Sequence, residues 1–559
     1  MHPIPSRANR KAVVVDCALI LAIGVAAQTA AFTSKMGRAI VCTDSYQYVA
    51  AAEALLDPDQ VSHFDMRKPG YPFFLAGVWA VAGRNMWSAV VANHVLLSML
   101  PLAAYGFGLL LRSRGLGWLA ALLMMARLQM AFAWRTEDVG NWIMSETLYT
   151  FLLSFGLLAF FVGLRHQRAA RWLLVAGAML GLAWLTRGAA TAVIPVAFFA
   201  VFFVHRHRLG SAAVCGVALL APIVSCVLLE CGLNYQSSGE FRPSTGTNGS
   251  CMWSYRLRAH QHAETPDTAE GRRLALLLPE RSIEDAFVVD PKDQWVAIAR
   301  AVRTKDLTYR EYDDLCRQVA WNSITADPWP FVKHSVVLAG YHLFRLMPPW
   351  TASATSPDQQ NKGKTPSNSR ASLDRSGDPF ASWSLPYISA KESESRVAEM
   401  REEAAERAPF AGSGVWSTLA YWRSKPSVVT PTEALAKVSL LWPGFAIILC
   451  PLLGLNRRMC WTLAAIYAAE AVALSLVTVT DNRYQSVWMV TDTVLAAALP
   501  AFILTQCVVF VKSTVTRLVP SPTADTRRRQ VIPPASVAED TVSARAEAIV
   551  TRVRRRQKK

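Results

Sequence analysis

The sequence predicts an all-α polytopic membrane protein of about ten transmembrane helices, with a mixed extracytoplasmic region between the early and late ones. Three observations carry this. Apolar runs of transmembrane length recur from end to end of the 559-residue chain. Hydrophobic residues make up 52% of it, which puts the mean hydropathy above zero. The cations gather in short clusters between the runs, on one side of their alternation. A hydrocarbon slab of roughly 30 Å needs about 20 apolar residues per helix, and clusters of that kind mark the cytoplasmic side.

Charge and motifs exclude other classes. The formal net charge of +17 is spread over these small clusters and a basic tail. That pattern suits anionic lipid headgroups and not a nucleic-acid surface. No Walker loop, G-x-G-x-x-G or zinc spacing occurs, and the ten cysteines include no C-x-x-C.

Arg7, Arg10 and Lys11 precede the first apolar run. That run is long for a signal peptide and lacks a small-x-small cleavage site, so it reads as a retained helix. Spans are expected near 12–32, 88–111, 116–134, 144–164, 171–186, 189–204, 211–231, 434–455, 460–479 and 487–511. This count puts Arg10/Lys11, Arg112/Arg114, Arg165/Arg168/Arg171, Arg206/Arg208, Arg457/Arg458 and the tail on one face, with both termini cytoplasmic.

Residues 70–84 are too short to cross and read as a helix in the outer interface; residues 331–347 read as an amphipathic helix on the outer surface. Four regions follow: a transmembrane module over 1–231, an external region over 232–433, a second module over 434–511 and a basic tail over 512–559. Within the external region, Tyr309 to Thr325 has a helical pattern that D-P-W-P is expected to stop. Residues 351–382 have a disordered composition, and 391–408 form a short charged helix at best. Cys231 and Cys251 flank an external stretch where a disulfide would be permitted.

The residues that carry chemistry cluster on the outer face. Asp44, in T-D-S-Y-Q-Y, follows the first span and reads either as a helix cap or as a general base at the membrane boundary. Tyr48 and Tyr71 supply aromatic walls, and Arg67, Lys68 and Arg187 supply cations; Arg483 and Tyr484 lie in the last external turn. Positive side chains on that face suit a departing lipid phosphate. Glu137, Asp138 and Glu146 form a second acidic group, Glu146 also being well placed against a helix dipole. Acids in two facing loops are suited to holding a divalent cation or aligning an acceptor. Glu470 and Asp492 fall inside late spans, where they would pair with His94 or an arginine, or form an ion path. The ion path is the signature of a transporter or flippase, the alternative reading, although no inverted repeat accompanies it.

Several motifs in register resemble the polytopic glycosyltransferases of the GT-C type, the superfamily of the protein O-mannosyltransferases and the lipid A aminoarabinose transferase. They are D-S-Y-Q-Y, R-K-P-G-Y-P-F-F-L-A, S-E-T-L-Y-T-F-L-L-S-F, G-L-A-W-L-T-R-G, D-P-W-P-F-V-K-H and N-R-Y-Q, covering about 40–205 and 320–511. The resemblance implies a transferase with a polyprenyl-phosphate-linked sugar donor, a glycan, lipid or protein acceptor, and an active site on the outer face of the inner membrane. It implies Asp44 as the residue that deprotonates or orients the acceptor, assisted by Glu137 and Asp138, which would also ligate any metal. It implies Lys68 at the donor phosphate, with Arg483 and Tyr484 at the lipid phosphate or sugar. Two positions depart from the pattern: Ser45 follows Asp44 where relatives carry paired acids, and Gly188 stands where they carry Pro.

Overall fold

The computed structural model describes residues 7–34, 43–57, 67–111, 113–131, 140–166, 169–244, 268–277, 309–344 and most of 459–469, with 39, 59 and 64 between them. All of them belong to one compact unit, Met1–Ala501. The described residues are almost wholly helical: α1 (Arg7–Ser34), α2 (Thr43–Leu56), α3 (Gly70–Ala82), α4 (Met86–Leu111), α5 (Arg114–Ala131), α6 (Ser145–Arg165), α7 (Ala169–Thr186), a 3-10 turn (Gly188–Ala192), α8 (Val193–His205), α9 (Leu209–Ser238), α10 (Ala269–Leu277), α11 (Tyr309–Ala326) and α12 (Pro328–Phe344).

Among the described residues, six stretches are long and apolar enough to cross a membrane, namely Lys11–Thr33, Met86–Leu111, Ser145–Arg165, Ala169–Thr186, Gly188–His205 and Leu209–Ser237. They coincide with expected spans, and α5 occupies the place of the expected third. The last three spans, the 351–408 segment and the tail lie outside the described residues, apart from helical turns at 461–466 and 468–469.

Helices α4, α6 and α7 form the centre. Helix α4 packs on α1, α5 and α6, α7 lies between α6 and α9, and α8 leans on α9. Leu100, Phe107, Phe160, Leu173, Leu180 and Leu219 are buried where these helices meet. The outer helices keep apolar side chains exposed: Val14, Val15 and Leu19 on α1, Phe199, Phe202 and Phe203 on α8, Val214, Val217 and Val224 on α9. So much contiguous apolar surface has lipid, not water, as its solvent.

Glycines allow the closest crossings. A Cβ on Gly108 of α4 would stand 2.5 Å from the backbone of Gly117 in α5. On Gly177 of α7 it would stand 2.2 Å from the Leu219 carbonyl oxygen of α9, and on Gly181, one turn on, 2.9 Å from Cys226 Sγ. Paired small residues four apart are the means by which helix backbones approach in lipid, where burial gives little drive to associate. Gly177→Val is therefore expected to lower stability by about 1–3 kcal/mol. A thermal melt in detergent checks it, with Gly77→Ala as the control, since nothing lies within 4 Å of a Cβ at Gly77.

Two boundaries differ from expectation. Helix α9 does not end at 231 but continues to Ser238, where Gly239 closes it in the left-handed region at φ 74°. The apolar run ends at the membrane edge, whereas helical hydrogen bonding persists until a residue without a Cβ turns the chain. D-P-W-P does not merely stop a helix: α11 ends at Ala326 and α12 begins at Pro328, which needs no N–H in a first turn. Cys231 is a buried free thiol, and Cys251 lies outside the described residues.

Candidate functional site

Chain direction puts two unlike ends on the bundle. One end carries Arg114, Arg165, Arg206 and Arg208. The other gathers the α2–α3 connection, the start of α6, the end of α7 and the last turns of α9.

Helix α3 opens on the R-K-P-G-Y-P turn, and Gly70 is needed there. A Cβ at Gly70 would lie 2.8 Å from the backbone of Leu185 and Thr186, so the turn presses directly on the end of α7. This seats Lys68 beside α7 and α9 and sends Tyr71, fully buried, towards α2. Tyr48 of α2 meets the Tyr71 ring edge-on at 5.0 Å, and the Arg67 guanidinium lies 5.6 Å from the Tyr48 ring centre. Arg67 Nε also donates to Gln47 Oε1 at 2.5 Å.

The Tyr48 hydroxyl and Ser145 Oγ are 3.1 Å apart, which joins α2 to the first turn of α6. Glu146 follows, at the positive end of the α6 dipole. Its Oε1 accepts from Arg187 Nη1 at 2.6 Å, and Arg187 stands extended between α7 and the 3-10 turn. Burial pushes both phenols, Tyr48 and Tyr71, up from their ordinary pKa, so they act as neutral hydroxyls.

Lys68 completes the row. Its Nζ lies 2.8 Å from Glu230 Oε2 and 3.5 Å from the centre of the Trp184 ring, with Gly188 beside its Cε. Glu230 is fully buried, whereas Lys68 keeps 12% of its side chain exposed. Burial pushes the Lys68 ammonium below its ordinary pKa, and the Glu230 charge opposes that.

Buried polar atoms with no hydrogen-bond partner surround the same place: Tyr71 Oη, Glu146 Oε2, Asn93 Oδ1 and Trp142 Nε1. The Tyr71 hydroxyl faces Asn93 and the Met144 backbone without reaching hydrogen-bond geometry. Such atoms are rare inside proteins and mark where polar groups can still be received. They offer acceptors, a donor and a hydroxyl.

The structure thus brings together Tyr48, Arg67, Lys68, Tyr71, Glu146 and Arg187. It also shows the state of two cations: Lys68 and Arg187 are each paired with a carboxylate, since a lone cation at such depth would be costly. Asp44 lies in the first turn of α2, four residues ahead of Tyr48; its side chain lies outside the described residues. Glu137, Asp138, Arg483, Tyr484, Glu470 and Asp492 also lie outside them. His94 is engaged through both ring nitrogens, with Gln28 Oε1 at 2.9 Å and Asn141 Oδ1 at 2.8 Å. A neutral imidazole donates through one nitrogen and accepts through the other, so this contact ties α1, α4 and the loop before α6.

Sequence reasoning missed Glu230, Trp184, Ser145 and Gln47. For Glu230 a signal existed, because it is the single acid within the apolar run of α9.

These features define a polytopic helical membrane protein with a charged, aromatic site at the end opposite its basic clusters. No protein-family model matches the sequence, and no curated protein does. Among solved structures, ArnT from Cupriavidus metallidurans bound to undecaprenyl phosphate is similar at 14% identity and a TM-score of 0.32, over 87% of this chain and 78% of that one. The apo state of the same protein is similar at 14% identity and a TM-score of 0.29, over 88% and 79%.

Proposed function

We propose that this chain is a GT-C-type glycosyltransferase of the cell inner membrane. It moves a sugar from a polyprenyl-phosphate-linked donor to an extracytoplasmic acceptor by a single inverting displacement. The observation that carries this reading is the convergence of Arg67, Lys68 and Arg187 with Tyr48 and Tyr71 at one end of the bundle. The positive-inside bias makes the opposite, basic end cytoplasmic, so the site faces outward at headgroup depth.

In this reading Asp44 takes the acceptor proton as the acceptor oxygen or nitrogen attacks the anomeric carbon. The bond to phosphate breaks, and the lipid phosphate leaves already ionised, needing no proton from the protein. Lys68 and Arg187, fixed in advance by their carboxylates, stabilise the charge that grows on it. The neutral phenols of Tyr48 and Tyr71 and the unpaired oxygen of Glu146 line the sugar side. Asp44, Glu137 and Asp138 are the ligands a divalent cation would take. The described residues hold no group of three metal-ligating side chains.

Purified protein in lipid nanodiscs, given a radiolabelled polyprenyl-phosphate sugar and envelope glycan acceptors, should transfer label with inversion at the anomeric carbon. Arg187→Ala should raise the donor KM about 10-fold, the loss of one charge-assisted contact. Retention of configuration, or absence of both transfer and donor binding, would overturn the reading.

A further inference from the structure

We propose that Glu230 is the positioning residue for Lys68, and that it sets the site up for a phosphodiester anion. This rests on the reading of the site given above and adds a residue to it.

The geometry is specific. Glu230 projects from the far end of α9, fully buried, and each of its oxygens has a defined partner. Oε2 takes the Lys68 ammonium at 2.8 Å, and Oε1 accepts the backbone N–H of Ser244 at 3.0 Å. Ser244 is itself fixed: its Oγ donates to the Phe64 carbonyl at 2.8 Å and accepts from Asn234 Nδ2 at 3.2 Å. The carboxylate is therefore held by the chain leaving α9 and by the segment leading to Lys68. It cannot follow the lysine outward. The Trp184 face 3.5 Å from Nζ confines the ammonium on another side, and the Lys68 side chain stays partly exposed.

A lysine so placed would otherwise be a poor anion receptor. Its stem is flexible and its ammonium shifts pKa readily when buried. Among the described residues, the charged and titratable groups that act on it are Glu230 and Cys231 of α9; Arg187, next to Gly188, is itself paired with Glu146. Burial works against the charge, and Glu230 is the group that opposes it. The carboxylate thus keeps the ammonium both in place and charged, while leaving it donors for an arriving phosphate oxygen. An ammonium has three N–H groups, and one carboxylate oxygen occupies one of them.

Binding of a polyprenyl phosphodiester, whose single charge does not change across pH 6–10, isolates the titration of the protein. In the full-length protein, Glu230→Gln should move the alkaline loss of binding about 1–3 pH units towards acid, because an opposite charge at contact moves a pKa by that much. Glu230→Asp should move it less, in the same direction, and serves if the glutamine variant folds poorly. Adding Lys68→Arg to Glu230→Gln should abolish the alkaline loss, since a guanidinium stays charged. A carboxylate that merely held helices together would lower the melting temperature and leave the pH profile where it was, which overturns the inference. If the wild type does not bind the lipid at all, the reading of the site falls and the inference falls with it.

Discussion

Lys68→Ala is expected to weaken binding of a polyprenyl-phosphate lipid about 10–100-fold, the usual worth of a hydrogen bond to a charged group. It should also destabilise the fold by about 3 kcal/mol, because Glu230 is left buried without its counter-charge. The two effects have separate origins and can be separated. In Lys68→Ala/Glu230→Gln the buried charge is gone, so the melting temperature should recover most of its loss. The lipid affinity should not. Thermal melts and lipid titrations on the two variants decide it, and wild-type affinity in the double variant would remove Lys68 from the site.

Asp44→Asn should lower kcat for transfer about 10²–10⁴-fold, the range a positioned general base contributes. The donor KM should stay near its wild-type value, since asparagine keeps the shape and removes only the basic oxygen. The rival role is local. Asp44 stands in the first turn of α2, where a carboxylate favours the helix dipole. A residue with that role alone would cost about 0.3–1 kcal/mol of stability and leave turnover intact. Single-turnover kinetics beside a thermal melt distinguish the two.

Much of this architecture is legible in the chain because lipid imposes it locally. Each described span was written as an apolar run closed by cations or by a glycine, and no distant residue was needed to find it. Helix ends were harder. Hydropathy marks how deep a segment lies, not where its hydrogen bonds stop, so α9 outran its apolar stretch to Gly239. The R-K-P-G-Y-P turn advertised Lys68 and Tyr71, since proline and glycine punctuate a chain for local reasons. Their partners carried no such mark. Lys68 finds Glu230 at a separation of 162 residues, and Tyr48 finds Ser145 at 97. Pairings of that span come from how helices are bundled, which one sequence does not display. Glu230 was missed for this reason, and so was the pairing of Glu146 with Arg187, although the sequence marks both of those residues.

At the basic end, Asp16 of α1 is bound by Arg114 Nε at 2.7 Å and Nη2 at 2.8 Å, with the Tyr105 hydroxyl also donating to it. Asp16 is made on the ribosome 98 residues before that arginine. During synthesis the first helix must therefore enter the bilayer carrying an acid whose counter-ion does not yet exist. Its place near the basic end of the helix keeps the carboxylate close to the headgroups in the interval. The same pairing can form only once both later helices have been made, and it then holds α1 against α4 and α5.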